Sequence, residues 1–166
     1  MVFGSGRNRS RGELPPKTAA EACLPFFHRV AEGCAQSGSY FLLEPLPPHE
    51  ADFIQTSDEG ASIARKVGHP HLALELDARA IAETDKDYSA YSRHKDLVLH
   101  VQTSDPGLRC PGSTGLDHAP IGAALAQAGY DRYVSIEIRR DDADCKGNIA
   151  RAADYVRRHY FTHALN

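Results

Sequence analysis

No stretch of the chain carries the roughly 20 consecutive apolar residues that a membrane-spanning helix needs. The opening Met1-Val-Phe-Gly-Ser-Gly-Arg7 lacks the apolar core of a secretory leader. Both absences point to a cytoplasmic protein. Cysteine is sparse, and Cys23, Cys34, Cys110 and Cys145 form no close pair of metal-binding type, so they read as reduced thiols. Charge of one sign is also lacking: 19 basic residues against 22 acidic ones give a net charge of −3, which argues against an extended nucleic-acid surface. Arg7, Asn8, Arg9 and Arg11 make a local basic patch near the N-terminus, which reads as a solvated loop or, more sharply, as an anion or sugar-phosphate contact. The histidines fall mostly in expected loops and helices (His49, His69, His71, His94, His118) and build no zinc site. At 166 residues, with 42% hydrophobic and 25% charged side chains, residues 1–166 suit one soluble globular domain.

What the chain does have is a repeated pattern. Four strand-like runs, Tyr40–Glu44, Leu72–Asp77, Leu97–Gln102 and Tyr133–Glu137, each end on an acid or amide. The spacings between Glu44, Asp77, Gln102 and Glu137 are 33, 25 and 35 residues, each about one strand–helix–strand repeat. If the strands are parallel neighbours, the four side chains converge on the carboxyl rim of the sheet, where α/β proteins build their sites. Three carboxylates and one amide oxygen there would make a divalent-metal site. A strand period of two places Leu42, Glu75, His100 and Ser135 in the layer beneath. A buried carboxylate beside an imidazole calls for pairing, so a Glu75–His100 hydrogen bond is expected.

Between these runs the helix signals are regular. Residues 18–36 follow helical spacing, with a kink or a new start expected at Pro25 and a stop near Gly38. Thr56, Ser57 and Asp58 offer N-caps for a helix that Gly68-His-Pro70 ends. Residues 83–95 read as helical, Ile121–Ala128 as a helix stopped by Gly129, and Ile149–Tyr160 as an amphipathic helix burying Ile149, Ala152, Ala153, Val156 and Tyr160. Met1–Gly4 reads as a further strand. The order is β-α repeated five times, which predicts an α/β fold with a parallel sheet.

The segments Val2-Phe-Gly-Ser5, Leu42-Leu-Glu-Pro-Leu46, Gly68-His-Pro70, Leu74-Glu-Leu-Asp77, His100-Val-Gln102 followed by Pro111-Gly112, and Gly129-Tyr-Asp-Arg-Tyr-Val-Ser-Ile-Glu137 occur in this order. Together they resemble the sugar isomerase/epimerase superfamily with the xylose-isomerase-like TIM barrel, in particular hydroxypyruvate isomerases and ketose 3-epimerases. The resemblance implies a partial (β/α)8 TIM barrel of about five parallel βα units, matching the fourth to eighth strands, with the first three units absent. It implies a divalent metal, Mn2+ or Mg2+, on Glu44, Asp77, Gln102 and Glu137, with Glu44 and Glu137 as the catalytic acid/base pair. It also implies substrate contacts from Glu50 and Arg109. Glu75, His100 and Ser135 would support the ligands from below. One position departs from the pattern: where the family usually carries a substrate-touching His, three residues after the metal Asp, this chain has Ala80.

The implied activity is metal-assisted proton transfer through an enediolate in a small sugar, sugar phosphate or hydroxy-carbonyl substrate, as an isomerase or epimerase. Two other readings stay open. One is a catalytically inactive barrel remnant that binds metal or ligand; the other is an endonuclease-IV-like repair enzyme, which needs a histidine-rich zinc site and a basic face that the sequence does not display. A third, that the strand-end acids are incidental, is opposed by four of them at repeat spacing. Five strands cannot close an eight-stranded barrel, so the Met1–Gly4 and Tyr133–Ile138 strands are expected as open edges. Leu42, Val98 and Tyr133 would face the interior, with self-association or another chain covering it.

Overall fold

The computed structural model describes residues 1–140 and 145–161, without the side chains of Cys145 and Lys146. Five strands form one parallel sheet in chain order: β1 (Val2–Phe3), β2 (Phe41–Leu43), β3 (Leu72–Asp77), β4 (Val98–Thr103) and β5 (Val134–Ile136). Helices α1 (Pro16–Ala22) and α2 (Leu24–Gln36) connect β1 to β2, and α3 (Ser57–Val67) connects β2 to β3. Then α4 (Ala78–Thr84) and α5 (Ala90–Arg93) lead to β4, α6 (Ala119–Ala128) leads to β5, and α7 (Cys145–Tyr160) follows. The expected arrangement of five parallel βα units, with β1 and β5 at the edges, is what the chain adopts. Among the described residues no helix is long and apolar enough to cross a membrane.

Local chemistry explains the element ends. Pro25 occupies the first turn of α2, where a missing N–H costs nothing, and α1 ends just before it at Cys23. Thr56 caps α3 by accepting from the Glu59 N–H, and Gly68 closes that helix at φ 64°. The helix expected over 83–95 is instead split. α4 begins directly at the end of β3, because the Asp77 carboxylate accepts from the Arg79 and Ala80 N–H groups at 2.7 and 3.1 Å. One residue thus ends a strand and caps a helix with no loop between them.

The core lies between the sheet and its helices. Leu72, Leu74 and Leu76 of β3 pack into it with Phe41, Leu43, Ile63, Val101, Ile121 and Val156, while alternate residues Ala73, Glu75 and Asp77 face the other side. A register shift between Leu74 and Glu75 pairs Leu74 with Val98 but Glu75 with His100. The extra residue turns Val98 into the helix-side core, correcting its expected inward position. Leu42 is buried, Tyr133 is 84% exposed, and Ile149 is 53% exposed rather than on the inner face of α7. Cys23 and Cys34 are free thiols, as expected; the Cys145 thiol lies outside the described residues.

A buried polar chain ties the end of β4 to the last helix. Thr103 Oγ1 lies 2.8 Å from the Tyr160 hydroxyl, which lies 2.7 Å from His118 Nδ1; His118 Nε2 lies 2.8 Å from Asp105 Oδ1. An ionised Asp105 only accepts, so Nε2 donates to it and Nδ1 accepts from Tyr160. Burial alone would raise the Asp105 carboxyl, but hydrogen bonds from His118, Thr114 and Gly112 hold it below its ordinary 3.8. Burial pulls the His118 imidazole below its ordinary 6.5 against the pull of Asp105. Both shifts cost stability in acid: the unfolded chain takes up protons that the fold refuses, first from His118 as pH falls below 6.5, then from Asp105 below 3.8. His118→Ala leaves Asp105 buried and short of a donor. It is expected to cost about 3 kcal/mol in urea unfolding at pH 7.5 and to reduce the acid-side decline that begins near pH 6.5, leaving the share due to His100.

Candidate active site

Sheet register brings the strand-end residues together. Asp77 is the last residue of β3 and pairs in register with Gln102 of β4. Glu44 and Glu137 directly follow β2 and β5, their N–H groups donating to the Phe3 and Thr103 carbonyls. Carboxylate oxygens of Glu44, Asp77 and Glu137 all lie within 4.8 Å of one another. Asp77 is fully buried, and Glu44 is 6% exposed.

This proximity is electrostatically expensive. Burial, then Asp77 and Glu137, push the Glu44 carboxyl up to about 7, although Arg9 and Arg79 pull the other way. Burial raises Asp77 to about 6 despite Arg79 and the two capping N–H groups. Asp77 spends Oδ1 on the α4 cap, and its buried Oδ2 has no partner; the buried Oε1 of Gln102 has none either. Buried acceptors are nearly always satisfied, so two unmet oxygens beside three crowded carboxylates mark a place for a cation. All-oxygen donors suit a hard divalent ion such as Mg2+ or Mn2+. The residues present therefore fit a metal.

Backbone shape makes room for the cluster. A Cβ on Gly4 would fall 1.8 Å from Glu44 Oε2, so the carboxylate occupies space that only glycine leaves open. The neighbouring cleft, about 360 Å³, is lined by Gly4, Glu44, Glu50, Arg79, Gln102 and Glu137 among others.

The layer beneath differs from expectation. Glu75 is fully buried and sits opposite His100, yet its Oε1 accepts from the Gln102 N–H at 2.9 Å and its Oε2 has no partner. The expected Glu75–His100 bond does not form, because Glu75 reaches past His100 to the backbone two residues further along β4. Burial, then Glu44 and Asp77, hold the Glu75 carboxyl well above its ordinary value. His100 is half-buried, its pKa lowered by burial and by the Met1 amino group, and Ser135 aligns with Gln102 without bonding to the cluster. Only Glu75 of these three supports a site residue.

Of the two expected substrate contacts, Glu50 lines the cleft and Arg109 does not. Arg109 is exposed and pairs through its backbone with Asp105, while Leu108, at φ 57°, takes the cleft-lining place. Sequence reasoning missed Arg79, which is 4% exposed and donates from Nη1 to Glu50 Oε1 at 2.5 Å. Its position two residues after Asp77 was the available signal. The basic N-terminal loop is not simply solvated either. Arg9 is buried, donates to the Phe3 carbonyl, and feels both Glu44 and Glu50.

Residues 1–159 match the family described as xylose isomerase-like TIM barrel. The chain is 31% identical over 110 residues to D-psicose 3-epimerase of Ruminiclostridium cellulolyticum, a match covering 66% of this chain and 36% of that protein. It is 33% identical over 111 residues to a Mus musculus protein named after hydroxypyruvate isomerase, covering 63% and 40%. Among solved structures, D-psicose 3-epimerase with D-tagatose from Clostridium cellulolyticum superposes with a TM-score of 0.75 at 23% identity, over 89% of this chain and 58% of that one. The matches thus span well under half of each curated relative.

Proposed function

The chain belongs to the xylose isomerase-like TIM barrel family, and we propose that it carries the metal-binding and acid–base residues of a sugar isomerase or epimerase. The relatives matched include a sugar 3-epimerase, and the carrying observation is the cluster of Glu44, Asp77 and Glu137 with two unmet oxygens beside it. Glu44, Asp77, Gln102 and Glu137 would hold the ion. A divalent cation there would offset the negative charge that gathers on the substrate oxygens when a C–H proton leaves.

The protein's own groups would move that proton. Glu44 and Glu137 stand on β2 and β5, two strands that flank the middle pair, so they reach a bound substrate from opposite sides. One removes the proton and the other returns one, which inverts or relocates the stereocentre. Without a cation, burial and its acid neighbours bring Glu44 to about 7; a bound divalent ion would lower it again and favour the carboxylate form that accepts the proton. Asp77 stays fixed by its cap, and Glu75 steadies the Gln102 backbone. Ala80 contributes only its N–H to the Asp77 cap; its buried methyl offers no group to a substrate. The cluster is not the histidine-rich one the endonuclease-like reading calls for: among the described residues it contains no histidine.

Mn2+ titration followed by electron paramagnetic resonance tests the site. Asp77→Asn keeps the capping Oδ1 and replaces the unmet oxygen with an amide, so it should weaken Mn2+ binding by roughly tenfold or more while the protein stays folded. Gly4→Ala should do the same by displacing Glu44. Wild-type affinity in both variants would refute the proposed ligand set.

A further inference from the structure

Outside the carboxylate cluster the cleft opens into a second compartment of about 520 Å³. The two share Gly4, Leu46, Glu50, Arg79 and Leu108, so a molecule seated on the carboxylates can extend into the outer space. The charge changes sign across that shared wall. The inner compartment holds Glu44 and Glu137; the outer one adds Arg7, His49, Glu83 and Arg139.

The outer acids already have partners. Glu50 accepts from Arg79, His49 Nε2 lies 3.4 Å from Glu50, and His49 Nδ1 lies 3.6 Å from Glu83. Arg7 and Arg139 have no ion pair and no side-chain hydrogen bond among the described residues. Arg79 is nine-tenths buried, yet its Nε has no hydrogen-bond partner. These guanidinium groups come from the turn after β1, the start of α4 and the segment after β5. Convergence from three separate elements brings Arg7 and Arg139, neither in an ion pair, to one small space beside Arg79, which is paired with Glu50 and lies 3.9 Å from Asp77.

We propose that the outer compartment holds a phosphate monoester at the far end of the substrate, which makes the substrate a sugar phosphate rather than a free sugar. This rests on the isomerase or epimerase reading of the inner cluster. A neutral hydroxyl end would leave Arg7 and Arg139 without a counter-charge. A carboxylate brings one charge and suits one bidentate guanidinium, whereas a phosphate brings up to two charges and three strong acceptor oxygens for several donors. The inner carboxylates repel the same group, so the phosphate end faces outward and the hydroxy-carbonyl end faces Glu44 and Glu137.

Inorganic phosphate is the probe, titrated into the full chain in the presence of a chelator, with arginine Nε–H signals followed by nuclear magnetic resonance. Phosphate should perturb Arg7, Arg79 and Arg139, and Arg7→Gln and Arg139→Gln should each weaken it about tenfold, the scale of a charge-assisted hydrogen bond. Glycolate, a short carboxylate, should bind more weakly than phosphate. Equal phosphate affinity in the double variant, or glycolate binding as tightly as phosphate, would overturn the proposal. Mn2+ binding, measured separately, should be unchanged in Arg139→Gln. If Mn2+ fails to bind the wild-type chain while phosphate still binds the arginines, the inner-site reading falls and the anion site stands.

Discussion

Glu137→Gln and Glu44→Gln are each expected to slow exchange of a substrate C–H for solvent deuterium by about 10²-fold or more, the usual worth of a positioned acid or base. The substitutions keep side-chain shape but remove the charge that would both take the proton and help hold the ion, so Mn2+ occupancy is measured in each variant alongside exchange. Their carboxylates lie within 4.8 Å of each other and of Asp77, close enough to work on one small group. The measurement is nuclear magnetic resonance of ketoses and ketose phosphates in D2O with saturating Mn2+. Exchange in the wild-type chain identifies proton transfer through an enediolate, whereas turnover without exchange identifies hydride transfer. Absence of both exchange and turnover, with Mn2+ bound, would favour the alternative of a binding domain without catalysis.

The strand-end pattern was legible because it depends on local rules. Leu72–Asp77 is the strand the alternation predicts, to the residue, and Thr56 caps α3 as its sequence context suggests. Once the strands lie parallel and in order, Glu44, Asp77 and Glu137 have to meet at one rim. Features that depend on tertiary contact were not legible. The β4 register shift hangs on how β3 and β4 fit, so nothing in Leu97–Gln102 itself says that Val98 turns into the core. The loop after β4 takes its course from four hydrogen bonds to Asp105, which leaves Arg109 outside the cleft and Leu108 inside. Arg9 reads as one of several loop arginines until the fold lays it over Phe3 and near Glu44. The family resemblance gave the order of the motifs correctly, but a carried-over loop residue was only as good as the loop alignment.

Crowding of carboxylates should also make the cation-free protein less stable as pH rises, the reverse of the trend set by His118 and Asp105. Glu44 is raised from 4.5 to about 7 and Asp77 from 3.8 to about 6. The fold therefore holds protons that the unfolded chain has already released, and stability declines between roughly pH 4 and 7 as the two groups ionise. Taken separately the two shifts would cost about 6 kcal/mol, and the coupling between the groups reduces that sum. Divalent cation should reverse the decline, because the ion binds the deprotonated carboxylates; at a hundredfold excess over Kd it adds about 2.7 kcal/mol. Glu44→Gln separates this effect from the acid-side network. It removes one buried charge without opening a cavity, so at pH 8 without metal it should raise the urea midpoint above wild type. The same variant should gain much less from Mn2+. A Glu44→Gln protein that is less stable than wild type at pH 8 without metal would show that the carboxylate is satisfied by the protein alone, and that no cation is needed to hold this rim together.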